Sequence, residues 1–321
     1  MLTLLQRPKE HGLCLIRKLA WSPDGRYLAA VMFHRKSGEP FSSVLLWDLN
    51  ISADAQLLET FPSRILSLTF AAGGRFLATG VNHHTVQTWD MENGRQVRTL
   101  PIEPIPPPNP PRRGVRPAYV PPTSPRLVAF HRSNTLLCHC RQKWYQWNLD
   151  QLDGNAVDPV SNDLRIESIV LTLDDKRLIF VTREGAIYRC SNPANPWKHE
   201  EIFNHVIQAE RIIVSRCGTR FAFADGSHLK VGELPRTRGG FKTLSGHQSF
   251  VYAATFGPDV NTIITGGQDG TTRIWNVERE QEVEQFDWGI GRVTALEASP
   301  DGTIVAAGGD GDQNLVLWDL E

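Results

Sequence analysis

The chain has 321 residues, 40% of them hydrophobic and 21% charged, which is enough apolar material for a large buried core. Thirty-four Lys and Arg against 35 Asp and Glu leave a net charge of -1, so no global field gathers nucleic acid or an anionic membrane, and any such binding has to be local. The opening M-L-T-L-L-Q-R-P-K-E has too few apolar residues for a secretory signal, no run approaches the ~20 apolar residues of a membrane span, and five scattered cysteines form no disulfide framework.

A reduced, cytoplasmic protein with no membrane role is therefore the expectation. In chain order, the first element is a short apolar strand over Leu2 to Leu5 with nothing local to pair with. A hairpin follows in L-A-W-S-P-D-G-R-Y-L-A-A (19–30), because Asp-Gly turns between alternating apolar runs favour tight antiparallel connections. After the next turn region, S-S-V-L-L-W-D (42–48) and A-Q-L-L-E-T-F (55–61) read as two further strands.

The same unit returns along the chain. Its hairpin reappears as L-T-F-A-A-G-G-R-F-L-A-T, more loosely as L-V-A-F-H-R-S-N-T-L-L-C, and then as I-V-L-T-L-D-D-K-R-L-I-F, I-I-V-S-R-C-G-T-R-F-A-F, A-T-F-G-P-D-V-N-T-I-I-T and L-E-A-S-P-D-G-T-I-V-A-A. Behind it comes an apolar-x-apolar-Trp-Asp/Asn strand with its tryptophan at 47, 89, 147, 275 and 318. Two degenerate copies place that slot at Arg189 or Cys190 in A-I-Y-R-C and at Gly232 in L-K-V-G-E-L, so the steps are 42 or 43 residues except for one of 58. Seven copies of about four short antiparallel strands each result, with one insertion between the second and third.

These residues resemble the WD-repeat β-propeller family over essentially the whole chain. S-G-H at 245–247, G-G-Q-D-G-T-T-R-I-W-N at 266–276 and two S-P-D-G turns are its motifs. The resemblance implies an all-β fold, a single seven-bladed propeller over residues 1–321 built from four-stranded antiparallel blades. The last repeat, ending at L-V-L-W-D-L-E, has no outer strand of its own. Leu2 to Leu5 are predicted to supply it beside Leu315 to Leu320, closing the ring as family members do and removing an open sheet edge.

Two departures from the repeat carry the functional expectation, since binding residues concentrate on loops held by a rigid scaffold. H-R-K-S-G-E-P-F (34–41) is expected to lengthen the turn between the second and third strands of blade 1. P-I-E-P-I-P-P-P-N-P-P-R-R-G-V-R-P-A-Y-V-P-P-T-S-P (101–125) joins blade 2 to blade 3, and 11 of its 25 residues are Pro, which favours extended polyproline and opposes sheet pairing. In the family both connections emerge on one face, beside N-H-H-T (82–85). Phe33, His34, Arg35, Lys36, Phe41, His83, His84, Arg112, Arg113, Arg116 and Tyr119 are thus the candidate partner-binding residues. The Pro-rich arm reads either as a recognition arm or as a stiff spacer.

The remaining constellations favour structural readings. His247, Thr265, Asp269 and Trp275 sit at the spacing of the family's hydrogen-bond network, a chain of donors and acceptors that leaves no free nucleophile. D-G-D-Q-N at 310–314 imitates a calcium loop, but Leu315 stands where that loop needs Gly. In C-H-C (138–140), with His131 nearby, strand alternation sends Cys138 and Cys140 to one face and His139 to the other, against a zinc site. No cofactor, metal or catalytic residue is expected. The expected role is a non-enzymatic protein-interaction scaffold or subunit of a larger assembly. The alternative is a nucleic-acid or phosphorylated-ligand binder using the basic loop patch.

Overall fold

A computed structural model of the chain describes residues 2–5, 14–36, 39–65, 67–81, 85–92, 95–102, 125–129, 135–140, 143–150, 160–161, 164–172, 176–182, 184–192, 198–203, 212–234, 240–311 and 315–320. Their strands form seven four-stranded antiparallel sheets. Blade 1 is Cys14–Trp21, Tyr27–Lys36, Glu39–Asp48 and Gln56–Phe61. Blade 2 is Leu68–Phe70, Phe76–Val81, Thr85–Asp90 and Arg95–Pro101, and blade 3 is Arg126–Ala129, Thr135–Cys140, Lys143–Asn148 and Val160–Ser161. Blade 4 is Ile166–Leu171, Leu178–Thr182, Ile187–Cys190 and Glu200–Phe203, and blade 5 is Ile212–Val214, Arg220–Asp225, His228–Glu233 and Lys242–Ser245. Blade 6 is Val251–Phe256, Thr262–Gly267, Thr271–Asn276 and Gln281–Asp287.

The last sheet draws on both ends of the chain. Val293–Ala298, Ile304–Gly309 and Leu315–Asp319 take Leu2–Leu4 as their fourth strand, with Leu2 opposite Trp318, Thr3 opposite Leu317 and Leu4 opposite Val316. The Leu5 N–H extends the ladder to the Leu315 carbonyl at 3.1 Å. The third strand runs to Asp319, and the Leu320 N–H still meets the Thr303 carbonyl in register at 2.8 Å. The first strand of each blade packs on that of the next, from blade 1 around to blade 7 and back to blade 1. The chain is thus an all-β β-propeller of four-stranded antiparallel blades.

Turn chemistry written in the sequence sets the hairpins. In blades 1, 5 and 7 a Ser at the turn entry accepts from the backbone N–H five residues on: Ser22 from Tyr27 at 2.8 Å, Ser215 from Arg220 at 2.9 Å, and Ser299 from Ile304 at 2.9 Å. The glycine three residues after each Ser adopts φ near +70°, a region that side chains resist. Glycine also sets the spacing between blades. A Cβ on Gly266 would stand 2.3 Å from Val293 of blade 7, and one on Gly308 would stand 2.5 Å from Ile16 of blade 1.

The tryptophans at 47, 89, 147, 275 and 318 are buried between blades. The third-strand slot in blade 4 resolves to Cys190, opposite Leu178, and in blade 5 to Gly232, opposite Phe221. Where Gly232 leaves room, the Phe221 ring fills it, since a Cβ there would meet that ring at 2.5 Å. Phe223 and Phe241 complete the cluster at 6.3 and 6.1 Å from Phe221. Blade 4 repacks similarly around Phe180, with Tyr188 at 5.3 Å and His199 at 5.1 Å. The missing tryptophans are compensated by aromatic packing within the blades.

One expectation needs correction. Residues 34–41 were expected to form a long turn, but the second and third strands of blade 1 run on through them, pairing His34 with Phe41, Arg35 with Pro40 and Lys36 with Glu39. The insertion lengthens a twisted two-stranded ribbon rather than a loop, because a paired ribbon satisfies backbone groups that a loop would have to leave to water.

Candidate protein-binding face

Strand direction alternates within each blade, so the start of the first strand, the turn between the second and third, and the exit of the fourth all lie on one face of the ring. The described strand ends at Phe61, Val81, Thr85, Pro101, Ser245, Val251, Asp287 and Val293 lie there, and the connections that join them start and finish on that face. His83, His84, Arg112, Arg113, Arg116 and Tyr119 belong to these connections but lie outside the described residues, as does His131.

The described candidates split into two groups. Arg35 is exposed, and Phe33 and Phe41 are half-buried near the ribbon tip; of Lys36 the backbone pairing is described. His34 instead points inward and is 6% exposed. Its ring stacks on Phe41 at 5.8 Å, and its Nε2 shares a 3.0 Å hydrogen bond with Ser43 Oγ, which bonds Thr60 Oγ1 at 2.8 Å. This side chain braces the ribbon against the outer strand, so it supports the face without presenting to it.

Phe33 is the centre of a cluster that local sequence could not show. The Arg17 guanidinium lies 5.8 Å and that of Arg64 5.2 Å from its ring centroid. Burial, and then the neighbouring positive Arg64 and Arg292, lower the Arg17 pKa from its ordinary value, with Tyr252 opposing. Arg292 pairs with Asp310 at 2.6 Å, which also accepts the Arg292 N–H at 2.8 Å. Two residues before Tyr252, Phe250 is 60% exposed. These residues come from blades 1, 2, 6 and 7 and meet because each lies on a first or second strand, or on the stretch beside one, toward the same face of the ring.

Behind the cluster runs the central channel, about 750 Å³, walled by first strands of the blades. Arg17, Ile65 and Tyr252 line its near end, and Trp21, Phe70, Phe256 and Arg216 its far end. At the far end Arg216 of blade 5 reaches blade 7, donating to the carbonyls of Pro300 at 2.6 Å, Ala298 at 2.7 Å and Ser299 at 2.8 Å. On the channel wall, desolvation pushes the Glu297 carboxyl up to about 7, against the pull of Arg216 and Lys18.

The blade 6 quartet assembles as a closed network. Asp269 accepts from His247 Nδ1 at 2.9 Å, from the Gln248 N–H at 2.8 Å and from the Thr271 hydroxyl at 2.8 Å. His247 Nε2 meets Thr265 Oγ1 at 2.7 Å, and Trp275 Nε1 donates to that same oxygen at 2.7 Å. Burial opposes ionisation of Asp269, but the hydrogen bonds from Gln248, His247 and Thr271 outweigh it and bring the pKa to about 2. Burial lowers the pKa of His247 in spite of Asp269, so the ring is neutral at pH 7. Thr265 is fully buried and already bonded to both neighbours, which makes it a structural hydroxyl without substrate access.

Cys138 and Cys140 pack in the core between blades 2 and 3, and burial drives the Cys138 thiol well above its usual value. His139 points the other way, 5.1 Å from Trp144. Asp310, the first residue of the calcium-like stretch, is engaged by Arg292; 312–314 lie outside the described residues. Among the described residues, no helix is long and apolar enough to cross a membrane.

Comparison with known proteins gives one repeat family and several relatives. The family described as WD domain, G-beta repeat matches residues 241–276 and 288–319, the two segments whose motifs are most complete. The target of rapamycin complex subunit wat1 of Schizosaccharomyces pombe is 22% identical over 277 residues, which is 86% of this chain and 68% of that protein. The small ribosomal subunit protein RACK1y of Oryza sativa subsp. japonica is 33% identical over 93 residues, 28% of this chain and 27% of that protein. The guanine nucleotide-binding protein subunit beta of Arabidopsis thaliana is 34% identical over 68 residues, 21% of this chain and 18% of that protein.

Proposed function

This chain is a WD-repeat β-propeller, and on that premise we propose that it is a non-enzymatic, cytoplasmic protein-interaction scaffold, working as a subunit of a larger assembly. In this reading its seven sheets are the seven blades of one domain spanning residues 1–321. The observation that carries the reading is the single face that holds the strand ends flanking the inter-blade connections, the blade 1 ribbon and the 101–125 arm. A rigid ring latched by its N-terminal strand, with its longest connections starting and finishing on one side, suits the docking of protein partners. The names of three relatives support complex membership, one as a complex subunit, one as a ribosomal subunit protein and one as a subunit of a nucleotide-binding protein. At 22% identity, what carries over from wat1 is membership in a complex, not the identity of that complex.

Partner contacts are assigned to Phe33, Arg35, Lys36 and Phe41 on the ribbon, to His83 and His84, and to Arg112, Arg113, Arg116 and Tyr119 on the arm. The buried quartet His247, Thr265, Asp269 and Trp275 is structural. The test is affinity capture from native lysate with the intact chain and with 102–124 replaced by a short Gly-Ser turn, in buffers of low and high salt. The expected outcome is a set of proteins held by the intact chain and reduced by the replacement. Recovery of nucleic acid with steep salt dependence, in place of protein, would overturn the reading.

A further inference from the structure

The side of the ring opposite the partner-binding face carries a cavity of its own. Its walls are the turns between the first and second strands of blades 4, 5, 6 and 7, and it encloses about 350 Å³. Contacts between these turns fix its shape. A Cβ on Gly218 of blade 5 would stand 2.9 Å from Thr172 of blade 4, and one on Gly302 of blade 7 would stand 2.7 Å from Pro258 of blade 6. Arg216 ties the blade 5 turn to three backbone carbonyls of blade 7. The space is thus formed before any ligand arrives, and its volume lies at the lower end of the range for small-molecule sites.

Cys217 belongs to this wall and is exposed, whereas Cys14, Cys138, Cys140 and Cys190 are buried. Its surroundings favour the thiolate. The Ser215 hydroxyl accepts the Arg220 N–H at 2.9 Å and the Thr219 N–H at 3.2 Å, so its lone pairs are taken and its hydrogen is left for Cys217 Sγ at 3.5 Å. Thr219 Oγ1 lies 2.9 Å from the same sulfur. Burial opposes ionisation of the thiol, but these hydroxyls and the backbone N–H groups of Thr219 and Cys217 outweigh it and lower the pKa. Two cations, Arg177 and Arg216, and two carboxylates, Asp259 and Asp301, share the wall. Arg216 is taken up by its carbonyls, and each carboxylate accepts an N–H of its own turn, Asp259 from Asn261 at 2.6 Å and Asp301 from Thr303 at 3.1 Å. Arg177 differs: it is half-buried, and among the described residues its side chain makes no hydrogen bond or ion pair. A guanidinium left open beside a thiolate is matched by a carboxylate that the ligand brings.

We propose that this cavity is a modification site, in which Cys217 forms a mixed disulfide with a small zwitterionic thiol whose carboxylate is held by Arg177 and whose ammonium faces Asp259 and Asp301. The volume limits that thiol to the size of an amino acid or a tripeptide. The step is thiol–disulfide exchange with the oxidised form of the same thiol. The Cys217 thiolate attacks one sulfur of the incoming disulfide, a bond forms from Cys217 Sγ, and the incoming S–S bond breaks. The other half leaves as a thiolate that takes a proton from water. Cys217 is oxidised as the incoming disulfide is reduced, so no further oxidant enters, and an excess of the reduced thiol reverses the step. The cavity and the partner-binding face lie on opposite sides of the ring, so this site is independent of the scaffold reading.

The experiment treats the folded full chain with glutathione disulfide, cystine or the neutral bis(2-hydroxyethyl) disulfide, and follows adducts by intact mass spectrometry and peptide mapping. Each rate is divided by that of the same disulfide with an unstructured cysteine peptide, which removes differences in intrinsic reactivity. One adduct per chain is expected, on Cys217, and none on a Cys217→Ser variant. The normalised rate should be at least about tenfold higher for a zwitterionic disulfide than for the neutral one, and the preference should fall to within about threefold in Arg177→Gln. The glutathione and cystine arms then set the size of the ligand. With rising pH the rate should level off below the ordinary thiol range of about 8.5. Thermal melts check that each variant is folded, and the comparison of disulfides on the wild type needs no variant. Equal normalised rates for all three disulfides, modification of the other cysteines ahead of Cys217, a plateau at or above the ordinary thiol range, or a preference that survives Arg177→Gln in a natively melting chain would overturn the site.

Discussion

Asp269→Ala removes the acceptor that holds the blade 6 network together. The carboxylate takes three hydrogen bonds shorter than 3 Å, from His247 Nδ1, the Gln248 N–H and the Thr271 hydroxyl, and its side chain is 9% exposed. Its pKa of about 2 against an ordinary 3.8 corresponds to roughly 2 kcal/mol of preference for the folded, ionised state. That agrees with the loss of about 1–3 kcal/mol expected when a buried donor such as His247 Nδ1–H is left unpaired. Because the folded pKa is depressed, the stabilisation is fully present above the unfolded value and is lost as pH falls from about 4 through about 2. The lowered pKa of His247 acts in the same direction, removing stability as pH falls below the ordinary histidine range. Urea unfolding of wild type and variant at pH 7 should therefore differ by about 2 kcal/mol, with the gap narrowing toward pH 3. Thr265→Ala in the same background should cost less than it does alone, since the two residues belong to one network. A difference at pH 7 under about 0.5 kcal/mol would refute the reasoning, and the quartet would have to be reconsidered as a site for chemistry.

Three further predictions concern the ring. Deleting residues 1–6 exposes the Leu315–Asp319 edge and should lower the melting temperature by at least about 5 °C; an unchanged melt would dismiss the closure. Gly266→Val drives a side chain into Val293, 2.3 Å from where its Cβ would sit, and should cost about 1–3 kcal/mol by denaturant unfolding. Phe221→Ala empties the space that Gly232 leaves open in blade 5 and should cost about 3–5 kcal/mol, whereas a loss under about 1 kcal/mol would mean that Phe221 does not replace the tryptophan.

The repeat was legible in the sequence because most blades write the same local chemistry: alternating apolar residues around a polar turn, and, in five of the seven, a tryptophan near the end of the third strand. Closure was legible for the same reason, since the last repeat lacked a strand and Leu2 to Leu5 had no local partner. The 34–41 stretch misled because Arg, Lys, Ser, Gly and Pro together read as a turn, while a two-stranded ribbon tolerates the same residues where side chains such as Arg35 and Glu39 face solvent. His34 was hidden by that misreading. As a loop residue it would be exposed, but in the ribbon it finds Phe41 and Ser43 directly across. The arginine cluster left no signal in any window of sequence, since Arg17, Arg64 and Arg292 are brought together by the curvature of the ring.

The seam in blade 7 also orders events in time. Leu2–Leu4 emerge during synthesis about 300 residues ahead of their partner Leu315–Asp319. At about 5–20 residues per second the leading strand waits on the order of tens of seconds with its backbone unpaired. Six blades can form from local hairpins as they appear, but the ring remains an open arc until the final strand arrives and joins the two most distant segments of the chain. The closing step is thus a checkpoint on the whole ring, because a chain truncated anywhere before blade 7 has no way to latch.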